Sequence, residues 1–368
     1  MRVAICGGGV IGACLAYYLS AEGADVLLVE RHEIAGAASG KSGGFLALDW
    51  CDGSALAPLA RRSFQLHADL AEAFDNPWGY RRLDTYAASA PVLHGSDRGR
   101  HHATRPWLND GVAVRGRIGT EATTAQVTPA AFTRGMVEQA VANGTDCVIG
   151  EVTDIPLNRD GGEVAGVDID GAFREADAVV IAMGPWSMLA TRWLPLQDVY
   201  GLKGHSVVFR PKEAVPAEAL FADVADDDGE SDTPELFPRP DGTVYLCGLA
   251  GQDPLPVDPS AVETDPSSTA RLRDMAAALS PHLFDAEIIA AQACYRPVAR
   301  DGLPLLGAIP GVEGAYVATG HSVWGILNAP ASGEAMARLI LEGRPGEFDL
   351  SAFDPGRFFG ASDRTGIE

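Results

Sequence analysis

The pattern of apolar and polar positions predicts short buried strands that alternate with helices at the start of the chain. The apolar run at residues 3–6 predicts a buried strand, and the glycines after it turn the chain into a helix at residues 13–20. A second strand, at residues 25–30, ends on an acidic side chain. Two later apolar strands, at residues 178–184 and 315–319, are also followed by helices. This alternation is typical of a doubly wound parallel sheet.

The rest of the pattern is less regular and predicts a second region that is rich in strands. Further helices are predicted at residues 54–74, 129–143, 266–279 and 326–342. Further strands are predicted at residues 147–149, 151–157, 164–169, 203–210, 236–239, 243–248 and 286–294, with short strands and polar turns at residues 78–124. Pro240-Asp241-Gly242 predicts a hairpin turn, residues 222–234 predict an acidic loop, and Thr128 is placed to cap the helix that follows it.

The composition limits the size and the partners of the protein. A chain of 368 residues is too long for one compact core and suits two interleaved domains. The net charge of −22 repels nucleic-acid phosphates and anionic lipid, so we expect neither nucleic acid nor a membrane as a partner. No segment is long and apolar enough to span a membrane. The composition leaves open whether the chain forms a homo-oligomer.

The cysteines and histidines indicate neither a disulfide framework nor a metal site. Six cysteines are scattered without a C-x-x-C pair, which is typical of reduced thiols in a cytoplasmic protein. They are Cys6, Cys14, Cys51, Cys147, Cys247 and Cys294. The eight histidines are scattered too, and His101-His102 has no partner at ligand spacing, so we expect no bound metal.

The glycines between the first strand and the first helix have the spacing of a dinucleotide-binding loop. Gly7, Gly9 and Gly12 form G-x-G-x-x-G, which allows a tight turn, room for a pyrophosphate against bare backbone, and close packing of helix on strand. The N-terminus of the helix faces the anion. Glu30 ends the second strand 18 positions after Gly12, where it can accept the hydroxyl hydrogens of an adenosine ribose. The motif and its setting predict dinucleotide binding.

A loop of small residues follows the second strand and favours FAD over NAD. Residues 35–45, AGAASGKSGGF, would let backbone amides approach a ligand, and Ser39, Lys41 and Ser42 add hydrogen-bond donors. A flexible surface loop is the alternative interpretation. A second pyrophosphate contact is a requirement of flavin-binding domains and not of simple nicotinamide-binding ones, so we expect FAD.

Six stretches, in order along the chain, resemble one family. They are VAICGGGVIGACLAYYL together with Glu30, SGKSGGF, TTAQVTP, ADAVVIAMGPWS, YRPVARDGLPLLG and YVATGHSVWGILNAPASGEAMA. On these motifs the chain is similar to the FAD-dependent D-amino-acid oxidase superfamily, and more closely to its glycine oxidase and sarcosine oxidase branch. The resemblance implies a mixed α/β fold with a discontinuous, Rossmann-like FAD-binding domain and an interleaved substrate domain built on an antiparallel sheet.

The resemblance also implies how the chain divides into domains. The FAD-binding domain is expected from residues 1–76, 127–198 and 296–350, and the substrate-binding domain from residues 77–126 and 199–295. Residues 351–368 are expected to form a C-terminal tail.

Carried over onto this sequence, the family's flavin contacts fall on the loops that follow the apolar strands. Val152 would meet the adenine through its backbone, and residues 321–327 would run along the isoalloxazine ring. From the glycine motif and the resemblance together, the residues expected to bind FAD are Gly7, Gly9, Val10, Ile11, Gly12, Glu30, Arg31, Ala38, Ser39, Lys41, Ser42, Gly43, Gly44, Phe45, Val152, Gly184, Gly320, His321, Ser322, Val323, Trp324, Gly325, Ile326 and Leu327.

We expect FAD to be bound without a covalent link. Cys294 falls two residues before Arg296, where sarcosine oxidase relatives carry the cysteine that is joined to the flavin. A covalent link through Cys294 is therefore the alternative. Glycine oxidases lack that thiol, and a free cysteine usually packs as a small buried apolar residue.

The chemistry that the resemblance implies is oxidation of a carbon–nitrogen bond by hydride transfer to FAD. Dioxygen would regenerate the flavin and release hydrogen peroxide, and the substrate would be an amino acid or an amine. No dedicated acid or base is required. Two alternatives stay open: a dehydrogenase that passes electrons to a quinone or another flavoprotein, and a flavin-binding interaction protein without catalysis.

The expected substrate site rests on few side chains. The resemblance implies that Arg296 clamps the substrate carboxylate over the flavin, with His321 beside it, although an internal salt bridge is the alternative role for a buried arginine. Glycine oxidases would carry a second arginine at Val323. Glu235 falls where the family has an active-site tyrosine, and it could bind an ammonium, bind a second basic group, or face solvent.

Overall fold

The computed structural model describes residues 1–91, 105–158, 161–197, 199–225, 231–251 and 253–359. The strands are β1 Arg2–Cys6, β2 Asp25–Glu30, β3 Phe45–Ala47, β4 Arg81–Arg82, β5 Asp84–Pro91, β6 Ala113–Gly119, β7 Thr124–Gln126, β8 Asp146–Ile149, β9 Val152–Asp154, β10 Gly166–Ile169, β11 Ala172–Glu175, β12 Ala178–Ile181, β13 Val199–Arg210, β14 Glu218–Ala225, β15 Ser231–Asp232, β16 Glu235–Pro238, β17 Val244–Gly251, β18 Glu287–Ala299, β19 Leu305–Ala308 and β20 Ala315–Thr319. The α-helices are α1 Val10–Ala21, α2 Ala38–Lys41, α3 Ala57–Ala73, α4 Pro129–Ala142, α5 Pro266–Leu279, α6 Pro281–Phe284 and α7 Gly325–Glu342. Short 3-10 helices lie at Gly184–Arg192, Pro259–Ala261, Ser322–Trp324, Ser351–Phe353 and Pro355–Phe358.

A six-stranded sheet forms the first layer, in the order β19-β20-β12-β1-β2-β8. Its strands are parallel except β19, which runs antiparallel to β20. Along β1, Val3 and Ile5 point to one core while Ala4 and Cys6 point to the other. Both faces are therefore covered, which is why these strands appear in the sequence as continuous apolar runs. The predicted doubly wound sheet is confirmed.

Helices α1, α3, α4 and α7 cover one face of this sheet. The other face packs against the 3-10 helix Gly184–Arg192 and against a small sheet in the order β11-β10-β9. Burying a side chain such as Val3 or Ile5 completely contributes about 1.5–3 kcal/mol. This packing holds the ends of β1, β2 and β12 in fixed positions at one edge of the sheet.

A second large sheet has the order β18-β13-β17-β16-β14-β5-β6, with β15 paired to β14. Its neighbouring strands are antiparallel except β14 and β5, which are parallel. Helices α5 and α6 cover one of its faces through Leu272, Met275 and Leu283. The mixed α/β architecture with a largely antiparallel second sheet agrees with the predicted fold class.

The prediction of an acidic loop at residues 222–234 is wrong where the structure describes it as strand. β14 continues to Ala225, and β15 occupies residues 231–232; residues 226–230 lie outside the described residues. Leu220, Ala222 and Val224 are buried while Asp223 is exposed. The period of two is therefore present, and the acidic side chains on the outer face hid it.

Several predicted boundaries also differ from the structure. α1 begins at Val10, three residues earlier than predicted, and β18 extends five residues further, to Ala299. The helix predicted after Pro185 is a 3-10 helix, and part of the small-residue loop forms the short helix α2. Thr128 occupies the N-cap position of α4, but its side chain makes no capping hydrogen bond.

The division into domains stays a prediction. β18 crosses residue 296 without a break, and β3 pairs with β7, so strands from both predicted domains share a sheet. His101-His102 and residues 360–368 of the predicted tail lie outside the described residues.

Candidate active site

A cavity of about 760 Å³ lies between the carboxyl edge of the parallel sheet and one face of the second sheet. Its volume is in the range of small-molecule sites. Of the residues predicted to bind cofactor or substrate, the cavity is lined by Gly7, Gly9, Val10, Ile11, Glu30, Arg31, Ala38, Ser39, Lys41, Ser42, Gly43, Val152, Gly184, Glu235, Arg296, His321, Ser322, Val323, Gly325 and Ile326. The structure therefore brings together groups from eight separate stretches of the chain.

Six of the predicted residues lie outside the cavity lining: Gly12, Gly44, Phe45, Gly320, Trp324 and Leu327. Four of them, Gly12, Gly44, Gly320 and Leu327, have structural roles. A side chain at Gly12 would begin 2.0 Å from the carbonyl oxygen of Gly7, so this glycine lets α1 pack against the turn. Gly44 and Gly320 have left-handed φ angles of +80° and +82°, and Leu327 is buried in the core.

The glycine turn after β1 leaves bare backbone beside the N-terminus of α1. Gly7 has a φ of +118°, which favours glycine. A side chain at Gly8 would begin 2.4 Å from Cδ1 of Ile34 and 2.9 Å from Cβ of Glu30, so a larger residue there would displace these side chains. Because no side chain intervenes, an anion can approach the N–H groups and the positive end of the helix dipole.

Glu30 is fixed at the end of β2 by two backbone donors. The amide of Gly8 donates to Oε2 at 2.8 Å, and the amide of His32 donates to Oε1 at 3.0 Å. The carboxylate thereby faces the cavity beside the glycine turn, where its remaining lone pairs can accept hydrogen bonds from ribose hydroxyl groups.

The small-residue loop is tied both to α1 and to the second sheet. Ser39 Oγ accepts from the amide of Val10 at 2.9 Å. Lys41 Nζ donates to the carbonyl oxygen of Ala293 at 3.2 Å, and the carbonyl oxygen of Lys41 accepts from the Tyr245 hydroxyl at 3.0 Å. Hydrogen bonds therefore fix this loop in place as one side of the cavity.

Sequence reasoning missed a further wall, residues 253–260, which we call the bridging segment. Val257, Pro259 and Ser260 of this segment line the cavity. Five side chains from other elements hydrogen-bond to this segment. Three of them donate to its backbone carbonyl oxygens: Tyr295 to Pro254 at 2.9 Å, Trp186 to Pro256 at 2.8 Å and Arg31 to Val257 at 3.2 Å. The other two bond its carboxylates at 2.7 Å, Lys203 to Asp253 and His32 to Asp258. No local motif in the sequence signals these contacts.

At the far end of the cavity, the Arg296 side chain lies beside Gly204 of β13. Arg296 lies opposite Leu202 on β13, and a side chain at Gly204 would begin 3.8 Å from its Nη2. Its Nε is buried and has no hydrogen-bond partner in the described part of the chain. A cation that is partly withdrawn from solvent and has no partner is costly, which favours an anionic ligand at this place.

Glu235 faces the same end of the cavity from β16. Its Oε2 accepts from the Cys247 thiol across 3.8 Å. Burial raises the pKa of Glu235, and the nearby positive charge of Arg296 opposes this rise. This end of the cavity therefore holds one group of each sign.

Burial also keeps the neighbouring titratable groups neutral. It lowers the pKa of His321 to about 3, so the imidazole is uncharged at neutral pH, and the ring bonds Ser332 with 3.0 Å between Nε2 and Oγ. Burial raises the pKa of the Cys294 thiol, although the charges of Lys41 and Arg296 act in the opposite direction. We therefore expect Cys294 to be a protonated, weakly reactive thiol.

The donor set of the cavity fits a flavin dinucleotide. One end supplies a helix N-terminus, bare glycine backbone and an oriented carboxylate, and the other end supplies a neutral histidine and an unpartnered arginine. Within the described part of the chain, no three His, Cys, Asp or Glu side chains come together as metal ligands. None of the helices described is long and apolar enough to cross a membrane.

Comparisons with known proteins agree with this site. The profile of a family described as FAD-dependent oxidoreductases matches residues 2–339. Glycine oxidase of Geobacillus kaustophilus is 30% identical over 397 residues, which cover 100% of this chain and 98% of that protein. Glycine oxidase of Pseudomonas aeruginosa is 28% identical over 389 residues, which cover 96% of this chain and 98% of that protein. The crystal structure of the Geobacillus kaustophilus glycine oxidase has a TM-score of 0.79 with this chain at 26% identity, covering 98% of this chain and all of the other.

Proposed function

Because the chain belongs to the family of FAD-dependent oxidoreductases, we propose that it oxidises the carbon–nitrogen bond of an amino acid or an N-substituted amino acid. Bound FAD supplies the redox chemistry, since it accepts a hydride from the carbon that carries the nitrogen. The chain's own residues bind and orient the substrate, keep water away and hold the cofactor. The observation that carries the proposal is the unpartnered guanidinium of Arg296 in the cavity.

In this proposal the cofactor lies along the cavity without a covalent link. The glycine turn and the N-terminus of α1 hold the pyrophosphate, and Glu30 holds the ribose. The raised pKa of Cys294 supports non-covalent binding, because a protonated thiol is a poor nucleophile. All of the flavin should appear in the supernatant after acid precipitation of the purified protein; flavin in the pellet would instead support a bond to Cys294.

Arg296 is the proposed clamp for the substrate carboxylate. Its planar guanidinium can make two parallel hydrogen bonds to a carboxylate. Such a pair of bonds binds the carboxylate and also fixes the position of the α-carbon. Val323, where glycine oxidases would carry a second cation, lines the cavity as an apolar side chain that is 55% exposed. Binding of the substrate carboxylate therefore depends on one arginine, and the neutral His321 lines the cavity nearby.

Dioxygen is the proposed electron acceptor, and the similarity to glycine oxidases supports this choice. Peroxide release in step with substrate loss checks it. Turnover that needs an added quinone or dye, without peroxide, would support a dehydrogenase in its place.

The clamp is tested by replacing Arg296 with leucine and with lysine. The Arg296→Leu variant should fold and keep FAD but lose about 2–5 kcal/mol of productive substrate binding, the cost of truncating one partner of a buried charge pair. Arg296→Lys should restore only part of the loss, because a point charge cannot reproduce the planar fork. The measurement is anaerobic reduction of the bound flavin by D- and L-amino acids, N-methyl amino acids and carboxylate-free amines.

Arg210 offers a matched control, since it is an exposed arginine on the neighbouring strand β13. Arg210→Leu should reduce flavin at the wild-type rate. If Arg296→Leu matches the wild type, or if a carboxylate-free amine is the better substrate, the amino-acid proposal fails and a plain amine oxidase replaces it.

A further inference from the structure

The carboxylate of Glu235 lies in the candidate active site with little to compensate its charge. Glu235 is the first residue of β16 and lies directly opposite Cys247 of β17. Within the described chain, the hydrogen bond that it accepts comes from the Cys247 thiol, across 3.8 Å. Because a thiol is a weak donor, this carboxylate lacks the N–H or cationic partners that buried carboxylates normally have.

Arg296 stands near Glu235 without forming an ion pair with it. The two charges influence each other, since the guanidinium opposes the rise in pKa of the carboxylate. Nε of Arg296 nevertheless has no hydrogen-bond partner among the described residues. Because both groups line the cavity, a ligand that carries a carboxylate and an ammonium on the same carbon can neutralise both charges.

The other acidic side chains that line the described part of the cavity are engaged elsewhere. Glu30 accepts from the amides of the glycine turn and the residues after β2. Glu33 and Glu151 each pair with an arginine at 2.6 Å. Glu235 is therefore the carboxylate available to a cationic group at the Arg296 end.

We propose that Glu235 binds the ammonium group of the substrate and accepts its proton, so that the amine is neutral when the carbon–hydrogen bond breaks. This inference rests on the proposed function, in which Arg296 holds the carboxylate of the same substrate. It makes Glu235 a catalytic residue and defines the substrate as an amino-acid zwitterion.

The step balances in protons and electrons. An N–H bond of the ammonium breaks, its proton forms an O–H bond on Glu235, and the nitrogen keeps the electron pair. The α-carbon–hydrogen bond then breaks with both of its electrons, so the substrate is oxidised to an iminium and the FAD is reduced by the same two electrons. Water hydrolyses the iminium to an oxo acid and an amine or ammonia, and Glu235 returns its proton to solvent.

The surroundings of Glu235 suit a base. Its raised pKa makes the carboxylate a stronger proton acceptor than an exposed glutamate. The titratable and charged groups that face it are the Cys247 thiol from β17 and the Arg296 guanidinium from β18, and β14 presents Phe221 opposite it. Burial also raises the pKa of Cys247, so the thiol stays neutral and does not compete for the proton.

The test compares Glu235→Gln with the wild-type holoprotein in anaerobic flavin reduction by glycine, sarcosine, D-alanine and D-lysine. At neutral pH the variant should be slower by about 10²-fold, the size expected for loss of a proton acceptor. In buffer above the pKa of the substrate ammonium, the variant should recover to near the wild-type rate, since the amine is then neutral without help. Glu287→Gln, an exposed glutamate on β18, is the matched control and should follow the wild type at both pH values.

If Glu235→Gln reduces flavin more slowly by the same factor at both pH values, the proton-transfer role is overturned. It is also overturned if the variant reduces flavin at the wild-type rate at neutral pH. A loss confined to amino acids with basic side chains would assign Glu235 to side-chain recognition and overturn the proposal. Calorimetry supplies a readout without turnover: wild type should prefer glycine to acetate and D-alanine to propionate, and Glu235→Gln should lose this preference.

The flavin-reduction and calorimetry experiments together separate a failure of this inference from a failure of the proposed function. If no amino acid reduces the wild-type flavin, the proposed function fails, and calorimetry alone then decides the role of Glu235. A wild type that binds acetate at least as well as glycine would overturn the assignment of Glu235 to the ammonium.

Discussion

Single buried side chains decide which protonation states the molecule can hold. His67 of α3 is fully buried, and its Nε2–H donates to the carbonyl oxygen of Ile326 at 2.9 Å. Burial lowers the pKa of His67 to about 4. This bond holds the first turn of α7 just after the His321 loop, and burial keeps the imidazole that makes the bond neutral at neutral pH.

The buried histidine predicts a loss of stability in acid. The unfolded chain binds a proton on His67 below the ordinary pKa of 6.5, whereas the folded chain binds it only near 4, so the stability is complete above 6.5 and falls as the pH is lowered toward 4. His67→Gln keeps an N–H donor without titrating, and we expect its stability to fall less over this range, by on the order of 2–3 kcal/mol. Urea unfolding at several pH values measures the difference.

If the His67→Gln and wild-type curves are parallel between pH 6.5 and about 4, the buried histidine is not the cause of the acid sensitivity.

At the scale of elements, the bridging segment, which follows β17, contacts the loops that we predict to bind FAD. Its carbonyl and carboxylate oxygens accept bonds from side chains of β13, β18, the 3-10 helix Gly184–Arg192 and the loop after β2. Since Val257 and Pro259 of the segment line the cavity, we expect the segment to retain the cofactor as well as to cover it.

Removing one of these bonds should speed the loss of FAD. Tyr295→Phe deletes the hydroxyl that donates to the carbonyl of Pro254 at 2.9 Å and leaves the buried ring in place. A hydrogen bond of this kind contributes about 0.5–1.5 kcal/mol, so FAD should dissociate about two- to tenfold faster. The rise in flavin fluorescence after dilution of the holoprotein gives the rate.

Tyr200→Phe is the matched control, because Tyr200 is an exposed tyrosine on the adjacent strand β13. It should release FAD at the wild-type rate. Equal rates for Tyr295→Phe and Tyr200→Phe would mean that the segment does not retain the cofactor through this bond.

At the scale of the whole molecule, the cavity exists because two sheets of different construction meet. The parallel sheet contributes strand ends, where glycine turns and helix N-termini collect. The second sheet contributes a broad face, on which Glu235 comes from β16 and both Cys294 and Arg296 come from β18. In the proposed function, the edge of the parallel sheet binds the dinucleotide and the face of the second sheet binds the small charged substrate.

The overall charge is consistent with a small-molecule substrate. A net charge of −22 favours solubility and repels polyanions, so the absence of nucleic-acid binding stays a prediction with a physical basis. Within this acidic protein, Arg296 is a partly buried cation whose Nε has no hydrogen-bond partner among the residues described.

The amino-acid sequence by itself determined the features that depend on neighbouring residues. The β1, α1, β2 unit with Gly7, Gly9 and Glu30 follows from apolar runs, glycine spacing and one terminal carboxylate within thirty positions. The hairpin at residues 240–242 and helix α5 are equally local, because the turn geometry and the caps are set by adjacent side chains.

Only the tertiary structure decided the features that depend on distant partners. Lys41 meets the carbonyl of Ala293 252 positions later, and Arg31 meets the bridging segment 226 positions later. Glu235 had three open roles in the sequence, and its burial beside an unpartnered Arg296 became visible only when β16 and β18 took their places in one sheet. Local patterns set strands and turns, whereas the environment of a charge depends on which strands fold against it.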